Sequence, residues 1–342
     1  MQPPTQTAAP DDAALGPGPS HVEFFLAALI IAVMALMAYS NTFRVPFYFD
    51  DRQGITDNRT IDMLWPLWRP LDAPTAVNSG AVGRPLVNFS LAVNYEISQD
   101  LTASRDGLDP ASYHIFNLIV HVLTAWLLLA VLWRTLRRPP LAQRFGAAAF
   151  PLAFVIALLW AVHPLLTETV TNAIQRNESM VSLFYLLVIY CFIRSAGSLR
   201  PWMWQAGAVV VCFMGVATKE VMFSAPLMVL LYDRTFVAGS FLQALARRWA
   251  FYLSMCLSWG LLGYLVHHAS KRGGTVGFGL GMTVHDYVLK QCEAVIHYFQ
   301  LAFWPHPLVL DYGEDVVKNL SSVWPQALLL TLLVVAGEGG GG

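Results

Sequence analysis

Long apolar runs alternate with short polar segments along most of the chain. A helix needs roughly 20 mostly apolar residues to cross a bilayer, and hydropathy identifies such runs at intervals from the N-terminal to the C-terminal region. The runs are residues 22–43, 112–133, 147–164, 177–194, 201–217, 220–235, 249–267 and 323–337. The pattern predicts an all-α integral membrane protein, a polytopic bundle of about eight transmembrane helices.

Two further segments have a helical pattern without being good spans. The segment 285–304 is long enough to cross a bilayer, but its polar residues favour an amphipathic helix lying at the membrane surface. Those polar residues are His285, Asp286, Lys290, Glu293 and His297. The apolar stretch 85–97 lies within the long segment 44–111 and favours short helices of the same kind. Interfacial helices are therefore predicted in the first and last outer loops.

Composition supports lipid as the main solvent of the chain. Its residues are 56% hydrophobic and only 13% charged, whereas a soluble domain carries roughly 25% charged residues. Mean hydropathy is +0.51. The net charge of -1 gives no reason to expect a nucleic-acid partner.

Three domain segments follow from these patterns. Residues 1–21 are rich in Pro, Ala and Gly and contain no Lys or Arg, so we expect a disordered cytoplasmic tail rather than a cleaved signal peptide. Residues 22–337 form the transmembrane domain, with 44–111 as an outer loop. The Gly-rich residues 338–342 are interpreted as a truncation or a placeholder.

The basic residues of three short loops predict which side of the membrane is cytoplasmic. If 285–304 does not cross, all three loops lie on one side, and the positive-inside rule makes that side the cytoplasm. These residues are Arg134, Arg137, Arg138 and Arg144, then Arg194 and Arg200, then Arg234, Arg247 and Arg248. The segments 44–111, 164–176, 218–220 and 268–322 then lie on the opposite face.

Several polar groups on that opposite face are candidates for chemistry. The adjacent carboxylates Asp50 and Asp51 follow the first helix, where they are either a solvated helix cap or a general base or cation-binding pair. No metal ligand is assigned, because one adjacent pair without a third carboxylate is a weak divalent-metal site. His114 and Asn117 share a helical face with His121, which we interpret as a helix–helix hydrogen-bonding group.

Candidate residues from six chain segments are predicted to converge on this face. They are Asp50, Asp51, Arg84, His163, Glu168, Arg176, Lys219, His306 and Asp311. Carboxylates beside Arg and Lys at a lipid boundary suit a substrate with an anionic head and an apolar tail. The cations would bind a phosphate, and a carboxylate would deprotonate an acceptor.

The strings that contain these residues resemble the membrane half of the transmembrane, TPR-containing O-mannosyltransferases and their bacterial relatives, within the GT-C glycosyltransferase superfamily. The matching positions run in order from about residue 39 to residue 313. They are Phe49-Asp50-Asp51, Ile55 and Asn58; Arg84-Pro85-Leu86 and Asn94-Tyr95; Tyr113-His114, Asn117 and His121; His163-Pro164 and Thr167-Glu168; Lys219-Glu220 and Leu231-Tyr232-Asp233; and Pro305, Leu308 and Leu310-Asp311-Tyr312.

The resemblance implies a GT-C-like helix bundle that uses a polyprenyl-phosphate-linked sugar as donor and a protein or glycan as acceptor. It implies Asp50 or Asp51 as the catalytic base and His114, Asn117, His306 and Asp311 as further site candidates. The donor and its phosphate would be bound by Arg84, His163, Glu168, Arg176, Lys219 and Glu220. It also implies a bacterial inner membrane, with the active face toward the periplasm, although a eukaryotic ER membrane would satisfy the same physical requirements.

Two departures from the family pattern keep other functions open. The turn that commonly reads Gly-Arg in the family is Gln175-Arg176 here. The TPR repeats that usually follow the membrane half are not in this sequence. Their absence leaves acceptor recognition unexplained or means that the sequence is truncated. One alternative is a non-catalytic scaffold that retains the fold within a larger membrane complex. A transporter for the same lipid class would predict inverted repeats and broken helices, and neither is visible.

Overall fold

The structure is a computed structural model that describes residues 18–72, 80–101, 107–269, 283–309, 317 and 319–339. All regular elements in these residues are helical. The α-helices are α1 His21–Ala38, α2 Trp68–Leu71, α3 Pro85–Leu101, α4 Pro110–Leu136, α5 Pro139–Phe145, α6 Ala149–Ala161, α7 Thr167–Thr171, α8 Arg176–Ser195, α9 Pro201–Val216, α10 Ala225–Asp233, α11 Phe241–Cys256, α12 Ser258–Ala269, α13 Val284–Phe303 and α14 Leu320–Gly339. They fall into two units, Met1–Lys271 and Arg272–Gly342.

Six helical stretches in the described residues are long and apolar enough to cross a membrane. They are His21–Ala38, Pro110–Leu136, Pro139–Ala161, Arg176–Ser195, Glu220–Ala238 and Phe241–Ala269. Two shorter apolar helices, Pro201–Val216 and Leu320–Leu333, account for the remaining predicted runs. The prediction of an all-α polytopic membrane protein is confirmed.

Helix α4 is the central element of the first unit and packs against α1, α6 and α8. The buried face of α6 consists of alanines at every fourth position, Ala149, Ala153, Ala157 and Ala161. Small side chains at this spacing form one stripe along a helix and allow a neighbouring backbone to come close, which is how helices associate in lipid.

Polar contacts between helices add to this packing. The ring of His121 bonds the Ala161 carbonyl oxygen through Nε2 at 2.8 Å and stacks on Trp160 at a centroid distance of 4.9 Å. The Nε1 of Trp126 donates to the Ala28 carbonyl oxygen at 2.8 Å. The interpretation of His121 as a helix–helix hydrogen-bonding group is confirmed.

The described residues of the segment 44–111, the predicted first outer loop, form a packed structure on the ends of α4 and α8. Its apolar core contains Ile61, Val87 and Leu91, which contact Tyr113 and Ile174. Helix α3 supplies Val87 and Leu91, so the predicted helix in 85–97 is present, although its apolar side chains bury against protein. This loop therefore presents a fixed surface next to the spans.

Buried amides hold the loop's irregular backbone in place. Asn88 accepts a hydrogen bond from Asn58 at 2.8 Å and donates to Thr60 Oγ1 and to the Pro70 carbonyl oxygen, each at 2.8 Å. Such a network satisfies backbone groups that no helix satisfies.

The second unit contains α13 and α14, which pack together. Helix α13 begins with a capping box in which Thr283 and Asp286 bond each other's backbone. It matches the predicted helix 285–304 and is not among the candidate spans of the described residues. Of the site candidates in this unit, His306 is exposed just after α13, and Asp311 lies outside the described residues.

Candidate functional site

The two adjacent aspartates after α1 have different environments. Asp51 is fully buried. Its Oδ1 accepts a hydrogen bond from the Ile174 N–H at 2.7 Å, and its Oδ2 accepts one from the Tyr48 N–H at 3.3 Å. Burial raises the pKa of the Asp51 carboxyl, while these backbone donors lower it. Asp51 therefore ties the first outer loop to the segment between α7 and α8.

Asp50 is half-buried, and its carboxylate makes no hydrogen bond within the part of the chain that the structure describes. The preceding Phe49 has a φ of 50°, the left-handed region that few non-glycine residues adopt. Strained backbone of this kind tends to occur at functional sites, where surrounding structure maintains it. The strained turn sends the two adjacent carboxylates into different environments and leaves that of Asp50 accessible.

Arg84 connects the start of α3 to the turn after α9. Its Nη2 donates to Glu220 Oε2 at 3.1 Å, and its Nη1 donates to the Gly80 carbonyl oxygen at 2.9 Å. The backbone repeats this link, because the Leu86 N–H donates to the Ala217 carbonyl oxygen at 3.1 Å. Two chain segments more than 130 residues apart are thereby held together.

Lys219 lies in the same turn and pairs with Glu178 of α8. The pKa of Lys219 is lowered to about 8, first by burial and then by the charge of Arg84, and the opposing effects of Glu220 and Glu168 only partly offset this lowering. A substantial fraction of the Lys219 side chains is therefore neutral at a mildly alkaline pH. An anion that binds beside this amine would favour its charged form.

Glu168 lies between the aspartate loop and Lys219. It is exposed and accepts a hydrogen bond from Gln175 Nε2 at 3.3 Å. Burial raises the pKa of Tyr48, the charges of Asp51 and Glu168 raise it further, and a hydrogen bond to Thr171 lowers it. Since Glu168 acts electrostatically on both Tyr48 and Lys219, these groups form one cluster.

His163 is half-buried at the end of α6. Its Nδ1 accepts a hydrogen bond from the Leu165 N–H at 3.2 Å and so caps the following helical turn. Capping gives His163 a structural role, and its contact with the donor stays a prediction.

Arg176, predicted to bind the donor, is instead fully enclosed by protein. Its guanidinium donates to the Ser90 carbonyl oxygen at 3.2 Å, to Asn94 Oδ1 at 2.9 Å and to the Tyr113 carbonyl oxygen at 3.4 Å. It also lies over the Phe116 ring at 4.4 Å. No surface of this side chain is open to a ligand, so the structure gives Arg176 the role of joining α3, α4 and α8.

His114 and Asn117 are also buried and hold backbone. His114 Nε2 bonds the Val45 carbonyl oxygen at 3.1 Å. Asn117 Nδ2 donates to the carbonyl oxygens of Asn172 and Ala173 at 3.1 and 3.3 Å. Both side chains position the segments that carry the aspartates and α8, rather than facing an open site.

Sequence reasoning left Glu178 and Tyr48 out of the assigned site. Glu178 follows the Gln-Arg-Asn string that departs from the family pattern, and no periodicity indicates that it pairs with a lysine 41 residues away. The signal that could have found it is the need of any carboxylate beside an apolar span for a cationic partner.

No set of three or more His, Cys, Asp or Glu side chains that could hold a metal ion occurs within the described ranges. Of the carboxylates in the cluster, Glu220 pairs with Arg84, Glu178 pairs with Lys219, and Asp51 bonds backbone N–H groups.

Gly80 packs closely against the segment between α7 and α8, and this contact leaves no room for a larger side chain. A Cβ at this position would lie 2.8 Å from Ile174 Cγ1, which is closer than van der Waals contact allows. We expect Gly80→Ala to lower the free energy of unfolding by about 1–3 kcal/mol, measured by thermal unfolding in detergent. Gly197→Ala is the control, because a Cβ there meets nothing within 4 Å. Equal stability of the two variants would contradict the packing seen here.

Three curated proteins with similar sequences are all named Protein O-mannosyl-transferase. The chain is 30% identical over 206 residues to Protein O-mannosyl-transferase TMTC3 of Mus musculus, and the aligned region covers 58% of this chain and 20% of that protein. It is 29% identical over 199 residues to human TMTC3, covering 56% and 19% of the two proteins. With Protein O-mannosyl-transferase Tmtc1 of Drosophila melanogaster it is 25% identical over 326 residues, covering 88% and 36%.

The chain thus spans about a fifth to a third of the length of these relatives. No family model and no solved structure matches it. The resemblance predicted from the motifs is nevertheless confirmed, because the curated relatives found by overall similarity are proteins of the predicted family. The chain is similar in sequence to the TMTC protein O-mannosyl-transferases.

Proposed function

We propose that this chain is a glycosyltransferase that moves a sugar, mannose, from a polyprenyl-phosphate donor to a protein or envelope acceptor. The observation that carries the proposal is the accessible Asp50 carboxylate, in a loop that Asp51 anchors to the segment carrying Glu168, which acts electrostatically on Lys219. A base for an acceptor hydroxyl and cations for a phosphate are the two requirements of such a transfer. The names of the relatives support the sugar-transfer class.

In the proposed reaction Asp50 takes the proton of the acceptor hydroxyl. The hydroxyl oxygen then forms a bond to the anomeric carbon of the sugar, and the bond between that carbon and the phosphate oxygen breaks. The electron pair of the broken bond remains on the polyprenyl phosphate. Arg84 and Lys219 stabilise this added charge, so each exchanges part of its interaction with a glutamate for one with the phosphate.

An apolar groove between α1 and α4 suits the tail of such a donor. It has a volume of about 350 Å³ and is lined by residues that include Leu36, Phe43, Ile115, Leu118 and Trp126. Phe43 and Ile115 lie at the same end of α4 as the cluster, and Trp126 lies deeper along the span. An isoprenoid chain in this groove would leave its phosphate at the membrane boundary.

The proposed location is a bacterial inner membrane with the cluster on the periplasmic face. The arginines of the predicted cytoplasmic loops support this orientation. The first outer loop also exposes Trp65 and Trp68, side chains that favour the interface between lipid and water.

The direct test uses the purified full chain and a panel of radiolabelled polyprenyl-phosphate sugars with protein and cell-envelope acceptors. We expect label to move to an acceptor from a mannosyl donor. No transfer from any donor, together with no donor binding, would overturn the proposal and favour the non-catalytic scaffold.

The pKa of Lys219 predicts a pH dependence of donor binding. The ammonium is present below about pH 8 and is lost above it, so we expect the affinity of the free protein for the donor to fall as pH rises through 8. Lys219→Arg keeps its charge over this range and should remove that fall. The measurement is donor binding by both proteins between about pH 6.5 and 9.5, roughly one and a half units either side of that pKa. An unchanged profile in the variant would exclude Lys219 from phosphate binding.

A further inference from the structure

A second polar site lies at the opposite end of α4 from Asp50. It is a pocket of about 540 Å³ between the last turns of α4 and α8. Its lining includes Arg134, Arg137, Arg138, Arg194 and Gly197. Four arginines, from the last turns of α4 and α8 and from the turn that follows α4, thus surround one pocket, about 30 Å along α4 from the cluster at its start.

Aromatic rings and backbone position three of these arginine side chains, those of Arg134, Arg138 and Arg194. Arg134 lies over the Trp133 and Tyr190 rings at 4.9 and 5.5 Å. Arg194 lies over the Trp204 ring at 4.5 Å and donates to the Tyr190 hydroxyl at 3.1 Å. Aromatic faces attract these cations without neutralising them.

Three of the four arginines have no carboxylate partner in the described part of the chain. Among the described residues no carboxylate pairs with Arg134, Arg138 or Arg194, and the buried Nε of Arg134 has no hydrogen-bond partner. Arg138 Nη2 donates a hydrogen bond to the Ile193 carbonyl oxygen at 2.9 Å, and this bond fixes the orientation of the guanidinium. Half-buried cations with open donors are costly unless an anion is present, and planar guanidinium groups match phosphate oxygens in particular.

The surroundings indicate where the phosphate comes from. The segment after the pocket exposes Leu199, Trp202 and Met203, apolar side chains that suit the acyl region and the interface of a bilayer. Basic pockets between helices at a membrane surface are suited to anionic lipid headgroups. A lipid would satisfy the arginines with its phosphate and these side chains with its tails.

We propose that this pocket binds the phosphate headgroup of an anionic membrane phospholipid. The site is separate from the sugar-transfer cluster and does not depend on the function proposed for it. The lipid stabilises the ends of α4 and α8 against each other, because its phosphate bridges arginines of both helices.

The test measures lipid binding to the purified full chain by native mass spectrometry, with phosphatidylglycerol and phosphatidylcholine as probes. We expect phosphatidylglycerol to bind the parent at least roughly tenfold more tightly than phosphatidylcholine. The double variant Arg134→Gln with Arg194→Gln should lose this preference. This comparison of two lipids on the parent requires no variant, so a poorly folded variant would not prevent the test.

The matched control is Arg200→Gln with Arg247→Gln, which removes two exposed arginines from the same predicted side without touching the pocket lining. This control should keep the preference. Equal binding of both lipids to the parent, or equal loss in the control, would overturn the proposal. Inorganic phosphate is added as competitor, and displacement of the lipid at matching concentrations would identify free phosphate as the ligand and overturn the lipid assignment.

Discussion

Replacing Asp50 with asparagine is expected to lower the rate of sugar transfer roughly 10²–10⁴-fold while leaving the fold intact. The carboxylate of Asp50 makes no hydrogen bond in the described part of the chain, so its loss leaves no buried donor unsatisfied. An asparagine amide has nearly the same shape but cannot take a proton from an acceptor hydroxyl. The measurement is transfer from the mannosyl donor, with thermal unfolding in detergent measured on the same protein.

Asp51→Asn is the matched variant, because it makes the same chemical change one residue away. There we expect a loss of about 1–3 kcal/mol in the free energy of unfolding, since the amide nitrogen must face one of the backbone N–H groups of Ile174 and Tyr48. Transfer should fall only as far as the fraction of folded protein falls. Full activity in Asp50→Asn, or a stable but inactive Asp51→Asn, would contradict these assignments.

Replacing Arg176 with methionine is expected to cost about 3 kcal/mol or more in the free energy of unfolding. Methionine fills similar space but leaves the Ser90 and Tyr113 carbonyl oxygens and Asn94 Oδ1 without their buried donor. Arg176→Lys should recover only part of the loss, because an ammonium cannot spread its donors as a guanidinium does. The measurement is the midpoint of thermal unfolding of the detergent-solubilised protein.

Arg200→Met is the control, because Arg200 is exposed before α9, and we expect its unfolding midpoint to stay close to that of the parent. Donor binding separates the two interpretations of Arg176. If Arg176→Met were as stable as the parent but failed to bind donor, Arg176 would be a ligand-binding group, as the family resemblance implies, and its buried structural role would be wrong.

The spans and their order could be predicted from the sequence because lipid imposes a length and a composition on every crossing helix. All eight apolar runs correspond to helices, and the polar helix at 285–304 is also present. The family could be predicted because short strings such as Phe49-Asp50-Asp51 and His163-Pro164 keep their order along the chain. These features depend on residues close together in sequence.

The roles within the polar cluster depend on the tertiary structure. Hydropathy treats Asp50 and Asp51 alike, yet the left-handed turn at Phe49 leaves one accessible and buries the other among backbone donors. The pairing of Lys219 with Glu178 joins residues 41 positions apart, and that of Arg84 with Glu220 joins residues 136 positions apart.

Burial decides the role of Arg176 in the same way. A guanidinium at a helix start has the same chemistry whether it faces a phosphate or three protein oxygens, so its sequence neighbours cannot distinguish a donor-binding residue from a structural one. Sequence determined the membrane-spanning helices, because lipid selects composition locally. Only the tertiary structure decided which charges are paired, buried or accessible, because those states depend on which distant segments the packed helices bring together.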